Sequence, residues 1–191
     1  GNPITGLYAI TNLTASVKPE IAASVTFAEG VEADLLWASS STNYVKWTGG
    51  MTAYTFKKRS ASGEAGNIHI AGNVTVTKNL SDWGGYKEID HFYIKESGSV
   101  LTIPNSVVQK TSPVNFSIMD AGAKVRVMGD LVSQSLGFGY EIFGTLEVSG
   151  WVVKNSTGDV RFSSNPSSGY IKAYGIKENT ANQAGDFVLT S

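Results

Sequence analysis

Apolar and polar residues alternate in seven short stretches of this chain, and each stretch runs into a small turn residue. The shared pattern is apolar, any, apolar, any, Gly or Asn, any, apolar. It reads Val45-Lys46-Trp47-Thr48-Gly49-Gly50-Met51 and Ile68-His69-Ile70-Ala71-Gly72-Asn73-Val74. Further copies start at Leu101, Val125, Leu146 and Ile171, with Asn105, Gly129, Gly150 and Gly175 at the fifth place. An earlier copy starts at Val25 and has Glu29 there. Successive starts lie 20, 23, 33, 24, 21 and 25 residues apart. Alternation with period two marks a half-buried strand, and its return every 20–25 residues or so marks a repeat architecture.

The first place of the pattern (Val25, Val45, Ile68, Leu101, Val125, Leu146, Ile171) and the third (Phe27, Trp47, Ile70, Ile103, Val127, Val148, Ala173) form the expected inward set. The place between them faces out: Thr26, Lys46, His69, Thr102, Arg126, Glu147, Lys172. The fifth place suits a left-handed backbone that turns the chain. A second apolar run follows, as at Val74–Val76, Val107–Val108, Leu131–Val132 and Val152–Val153. A third strand precedes several copies: His91–Ile94, Val114–Ile118 and Val160–Phe162. Three short strands and three turns make one rung of a parallel β-helix. A β-sandwich also has regular short strands, but does not require the turn residue to return in register. The chain is therefore predicted to be all-β: a single-domain parallel β-helix (solenoid) of about seven rungs over 21–178. Segments 1–20 and 179–191 are expected as N- and C-terminal caps, since a solenoid needs atypical ends.

This turn-and-strand pattern resembles the right-handed parallel β-helix superfamily. That superfamily includes pectate-lyase-like and polygalacturonase-like enzymes, phage tailspikes and bacterial adhesins. The resemblance implies a shape and leaves the branch open.

Charge changes the picture by exclusion. With 15 basic and 16 acidic residues the formal charge is −1, so no net positive field attracts nucleic acid. There is no cysteine, hence no disulfide framework and no thiolate metal site. The low charged fraction, 16%, with 21 Gly, gives a β-rich extracellular composition. Secretion or display on a bacterial cell surface is expected. No apolar run reaches membrane-spanning length. Gly1 reads as a protease scar left after removal of an export signal.

The 33-residue gap reads as an insertion over 78–90, and insertions in repeats gather on binding faces. It carries Trp83 and Tyr86 beside Asp82, Glu88 and Asp90, and His91 follows. Aromatic planes stack on the C–H faces of sugars while carboxylates and amides bond their hydroxyls. Trp151 and Tyr174 are expected to point out of the core and extend this platform. A second Gly/aromatic loop, Gly137–Tyr140, is open to either a binding or a packing role.

Catalysis finds less support. Glycoside hydrolysis needs two carboxyl groups about 5–9.5 Å apart, for which Asp82 with Asp90 and Asp120 with Asp130 are the available pairs. The Asp-Asp, Asn-x-Asp and Gly-His-Gly signatures of the enzymes in the superfamily are absent. No cofactor is expected; Ca²⁺ enters only under a lyase reading, with Arg126 near Asp120 and Asp130. His69, between two inward Ile, is expected on the exposed surface. Arg126, Glu147 and Lys172 are expected to pair along the outward ladder. A Thr ladder able to order water fails in this register, with Thr at 26 and 102 alone. The leading expectation is a glycan-binding or adhesin-like surface module. A small polysaccharide lyase or hydrolase and a structural stalk that forms a homo-oligomer are the alternatives.

Overall fold

A computed structural model of the chain describes residues 8–9, 20–34, 44–56, 67–78, 91–109, 115–133, 138–155, 160–164, 167–178 and 187–190. Among them are seventeen strands and no helix. Every strand pair is parallel, as successive turns of one coil require. No helix long and apolar enough to cross a membrane occurs among these residues.

The strands stack in three ladders. The first contains the start of β6 (Asn67–Val76), then β7 (His91–Ile94), β10 (Asn115–Ile118), β13 (Phe138–Ile142), β15 (Val160–Ser164) and β17 (Phe187–Thr190). The second runs through β2 (Val25–Thr26), β4 (Lys46–Ala53), the end of β6, β8 (Val100–Ile103) and β11 (Lys124–Val127). It finishes on the first halves of β14 (Thr145–Lys154) and β16 (Tyr170–Glu178). The third joins β9 (Val107–Gln109), β12 (Leu131–Ser133) and the second halves of β14 and β16. β1 (Tyr8–Ala9), β3 (Glu32–Asp34) and β5 (Thr55–Phe56) make a separate short sheet. The chain is a parallel β-solenoid. Four coils, beginning at β7, β10, β13 and β15, carry all three ladders, and the seven expected rungs correspond to the seven strands of the second ladder. Phe187–Thr190, in the expected C-terminal cap, pairs with β15 and so lengthens the first ladder.

Each ladder turns one column of apolar side chains inward. Phe92, Phe116, Tyr140 and Phe162 stack along the axis with ring centroids 6.0, 6.0 and 5.1 Å apart. Ile70, Ile94, Ile118 and Ile142 form the adjacent column, each at most 1% exposed. Identical side chains one coil apart pack in one rotamer class against each other, so the interior fills without voids. Tyr140 belongs to this column and is 1% exposed. The expected loop over 137–140 is thus a core strand from Phe138 onward, Gly137 lying outside the described residues.

The register differs from expectation in the N-terminal half. Leu101 pairs with Val74, and Val74 with Met51, whereas the pattern aligned Leu101 with Ile68 and Val45. Ile68 instead pairs with Phe92 on the first ladder. The cause is β6, a ten-residue strand that crosses from the first ladder to the second. Its alternation continues through the crossing, so the same template fits on either side. With the true partners, the second ladder advances through Val25, Met51, Val74, Leu101, Val125, Leu146 and Ile171, and no interval exceeds 27 residues. The first ladder advances by 24 from Ile68 to Phe92 and again to Phe116. The 33-residue gap was a phase error, and 78–90 belongs to a coil of ordinary length.

The expectation for the fifth-place glycines is also corrected. Only Gly72 among them is left-handed, at φ 75°. Gly175 is required by close approach: a Cβ there would come within 2.5 Å of the Trp151 ring.

Candidate functional site

The corner between the second and third ladders is built from small and hydrogen-bonding residues, one set per coil. Ser106 Oγ accepts the Asp130 N–H at 3.0 Å, and Asp130 Oδ1 accepts the Trp151 N–H at 2.7 Å. Each coil thereby satisfies a corner donor of the next, which would otherwise be left unpaired where the ladder breaks. The ladder does break here: the β14–β16 register shifts between Val148 and Trp151. That extra residue puts Trp151 outside the core, half-buried, with its ring lying over Gly175.

On the last coil, Tyr170, Lys172 and Tyr174 occupy alternate positions of β16 and are all exposed. Tyr170 is 59% and Tyr174 75% accessible. At the usual rise per residue their Cα atoms stand about 13 Å apart. The Tyr174 ring meets the Trp151 ring edge-on, centroids 5.0 Å apart and planes at 74°. Lys177 Nζ sits 4.9 Å from the centre of the Trp151 ring. An open hollow of about 270 Å³ lies alongside, lined by Glu147, Ser149, Lys172 and Tyr174 among others. Trp151 and Tyr174 were foreseen as outward residues. Tyr170 was missed, although its place two residues before Lys172 on one strand could have revealed it.

Glu147 forms the acidic wall of the hollow. Partial burial pushes its carboxyl up, but hydrogen bonds and charge from Arg126 and Lys124 outweigh that and hold it below the usual carboxylate range. Arg126 Nε lies 2.9 Å and Lys124 Nζ 3.1 Å from its two oxygens. The expected outward ladder is therefore half made: Arg126 pairs with Glu147, while Lys172, opposite Glu147 in register, has no carboxylate at ion-pair distance among the described residues.

The outward side of the first ladder holds a second polar group. His69 is 7% exposed, which corrects its expected surface position. Its ring stacks on Tyr93 at 4.4 Å, and Tyr93 stacks on His91 at 4.1 Å. An outward position on a strand is no guarantee of solvent when large rings occupy the neighbouring rungs. Burial first, then Lys95 and His91, lower the His69 pKa to about 4, and its Nδ1 is buried without a hydrogen-bond partner. His91 Nε2 lies 2.7 Å from Ser117 Oγ, and that hydroxyl donates to Glu141 Oε2 at 3.1 Å. The serine is in the middle of this chain. A nucleophilic triad needs the histidine there, between hydroxyl and carboxylate, so the arrangement ties coils together and does not activate Ser117.

Of the residues singled out from sequence, Trp83, Tyr86, Asp82 and Asp90 lie outside the described residues, as does Glu88. The excess loop length that pointed to them is gone. His91 and Trp151 are on different ladders, and no contact joins them. Asp120 Oδ1 accepts the Gly122 N–H at 2.8 Å, and Asp130 bonds Trp151 as above, so both carboxylates serve turns. The Thr ladder does exist in the true register: Thr26, Thr52, Thr75 and Thr102 are consecutive partners. It is a single column that gives way to Arg126 and is flanked by Asn73, Val100 and Lys124. Cross-strand Thr pairing accounts for it.

Fold and corner together define a parallel β-solenoid with an aromatic patch on its last coil. Comparison of the chain with family models, curated proteins and solved structures returns no match.

Proposed function

We propose that this chain is a non-enzymatic glycan-binding module of a bacterial secreted or cell-surface protein. Its contact surface is the outward side of the last coil. The observation that carries the reading is the exposed pair Tyr170 and Tyr174 on one strand face, with Trp151 packed against Tyr174. Large aromatic rings left in water cost hydrophobic free energy, and a sugar face recovers it while the polar rim bonds the hydroxyls. The hollow beside Tyr174 offers Glu147, Ser149 and Lys172 for those bonds.

The test is affinity electrophoresis of the purified chain against a broad polysaccharide panel, with Tyr174→Ala alongside. Retardation that the substitution abolishes, with unchanged circular dichroism and no released oligosaccharide, supports the reading. Absence of retardation across the panel overturns it.

One observation favours a second reading. Ile176 continues the inward column of Val107, Leu131 and Val152 yet is 54% exposed, as a subunit contact of a homo-oligomeric stalk would be. Mass by light scattering that rises with concentration, and falls back in Ile176→Asp, is the outcome that reading requires.

A further inference from the structure

Resting on the glycan reading, we infer that the sugar recognised at the last coil is anionic, bearing carboxylate or sulfate groups, and that Lys172 and Lys177 read that charge. The corner holds more cation than its own carboxylates can use. Glu147 has both oxygens engaged by Lys124 and Arg126. Glu178 is drawn to Lys154 at 3.7 Å, a lysine with no exposed surface. Lys172 stands between Tyr170 and Tyr174 with neither carboxylate within ion-pair distance. Lys177 rests over the Trp151 ring, where the ring face holds a cation without neutralising it.

Two uncompensated positive charges thus flank three aromatic rings on a chain whose formal charge is −1. An anion attached to a sugar stacked on Tyr174 would meet Lys172 on the same strand face. Nucleic acid fits less well, because duplex binding draws on many phosphate contacts, roughly 6–10 in a typical site, and this corner supplies two.

The experiment compares polymers that share a backbone and differ in charge: dextran against carboxymethyl dextran and dextran sulfate, and hydroxyethyl cellulose against carboxymethyl cellulose. The expected result is at least tenfold tighter binding to a charged member in low salt, most of it lost at high salt. Lys172→Gln with Lys177→Gln should abolish the difference, and Lys172→Arg should keep it. The carboxymethyl and sulfate arms tell which anion is read. Equal binding of charged and neutral forms would overturn the charge assignment and leave the glycan reading standing. Failure to bind any of these polymers or the wider panel overturns both. Duplex DNA bound as tightly as the charged glycans would overturn the assignment in favour of a general polyanion contact.

Discussion

Asp130 and Trp151 sit on successive coils, and the carboxylate of the first accepts the backbone N–H of the second at 2.7 Å. This bond holds the corner at the point where the β14–β16 register shifts, and with it the ring that supports Tyr174. Stability and the candidate surface meet in this one contact.

Asp130→Ala should therefore destabilise the chain by about 1.5–3 kcal/mol, the usual cost of losing a hydrogen bond to a charged group. Urea melts followed by circular dichroism measure this. Trp151 emission should shift to the red as its ring loosens, and an unchanged melt would refute the corner role.

Gly175→Ala puts a methyl group 2.5 Å from the Trp151 ring. Overpacking of this kind costs about 1–3 kcal/mol. The Trp151 indole signal should move in NMR spectra, and glycan retention should fall with it.

Phe116 stacks between Phe92 and Tyr140 and has no exposed surface. Phe116→Ala should cost about 3–5 kcal/mol. Glu147→Gln, by contrast, removes a partly exposed double ion pair and should cost no more than about 1 kcal/mol. Parallel urea melts of the two variants separate the core from the surface ladder.

His69 gives a pH dependence. Its folded pKa, about 4, lies below the ordinary 6.5, so the unfolded chain binds the proton more readily. The stability this contributes is complete above pH 6.5 and is lost as pH falls through the folded value. The urea midpoint of the wild type should drop more between pH 7 and pH 4.5 than that of His69→Gln. Equal drops would show that His69 is solvated.

Much of the fold was legible in the chain. The strands at His91, Asn115, Leu101, Val125, Leu146 and Val160 follow from alternation, and Trp151 and Tyr174 were placed outward by parity. Three things were not legible. Lys172 is left unpaired only because Lys124 reaches Glu147 from the same strand as Arg126, a competition that spacing does not reveal. His69 is buried by rings on a neighbouring rung. Val45 and Ile68 were put on the wrong ladder because β6 keeps its alternation while crossing between ladders.

The sequence by itself determined an all-β coil with parallel stacking, its repeat length and nearly all of its inward side chains, because alternation and turn residues act within a few positions. Tertiary structure alone decided the phase of β4 and β6, the burial of His69 and the choice of Glu147 as the partner of two cations. Those outcomes rest on contacts between residues one coil apart, and a period of two looks the same on every face until the coils are stacked.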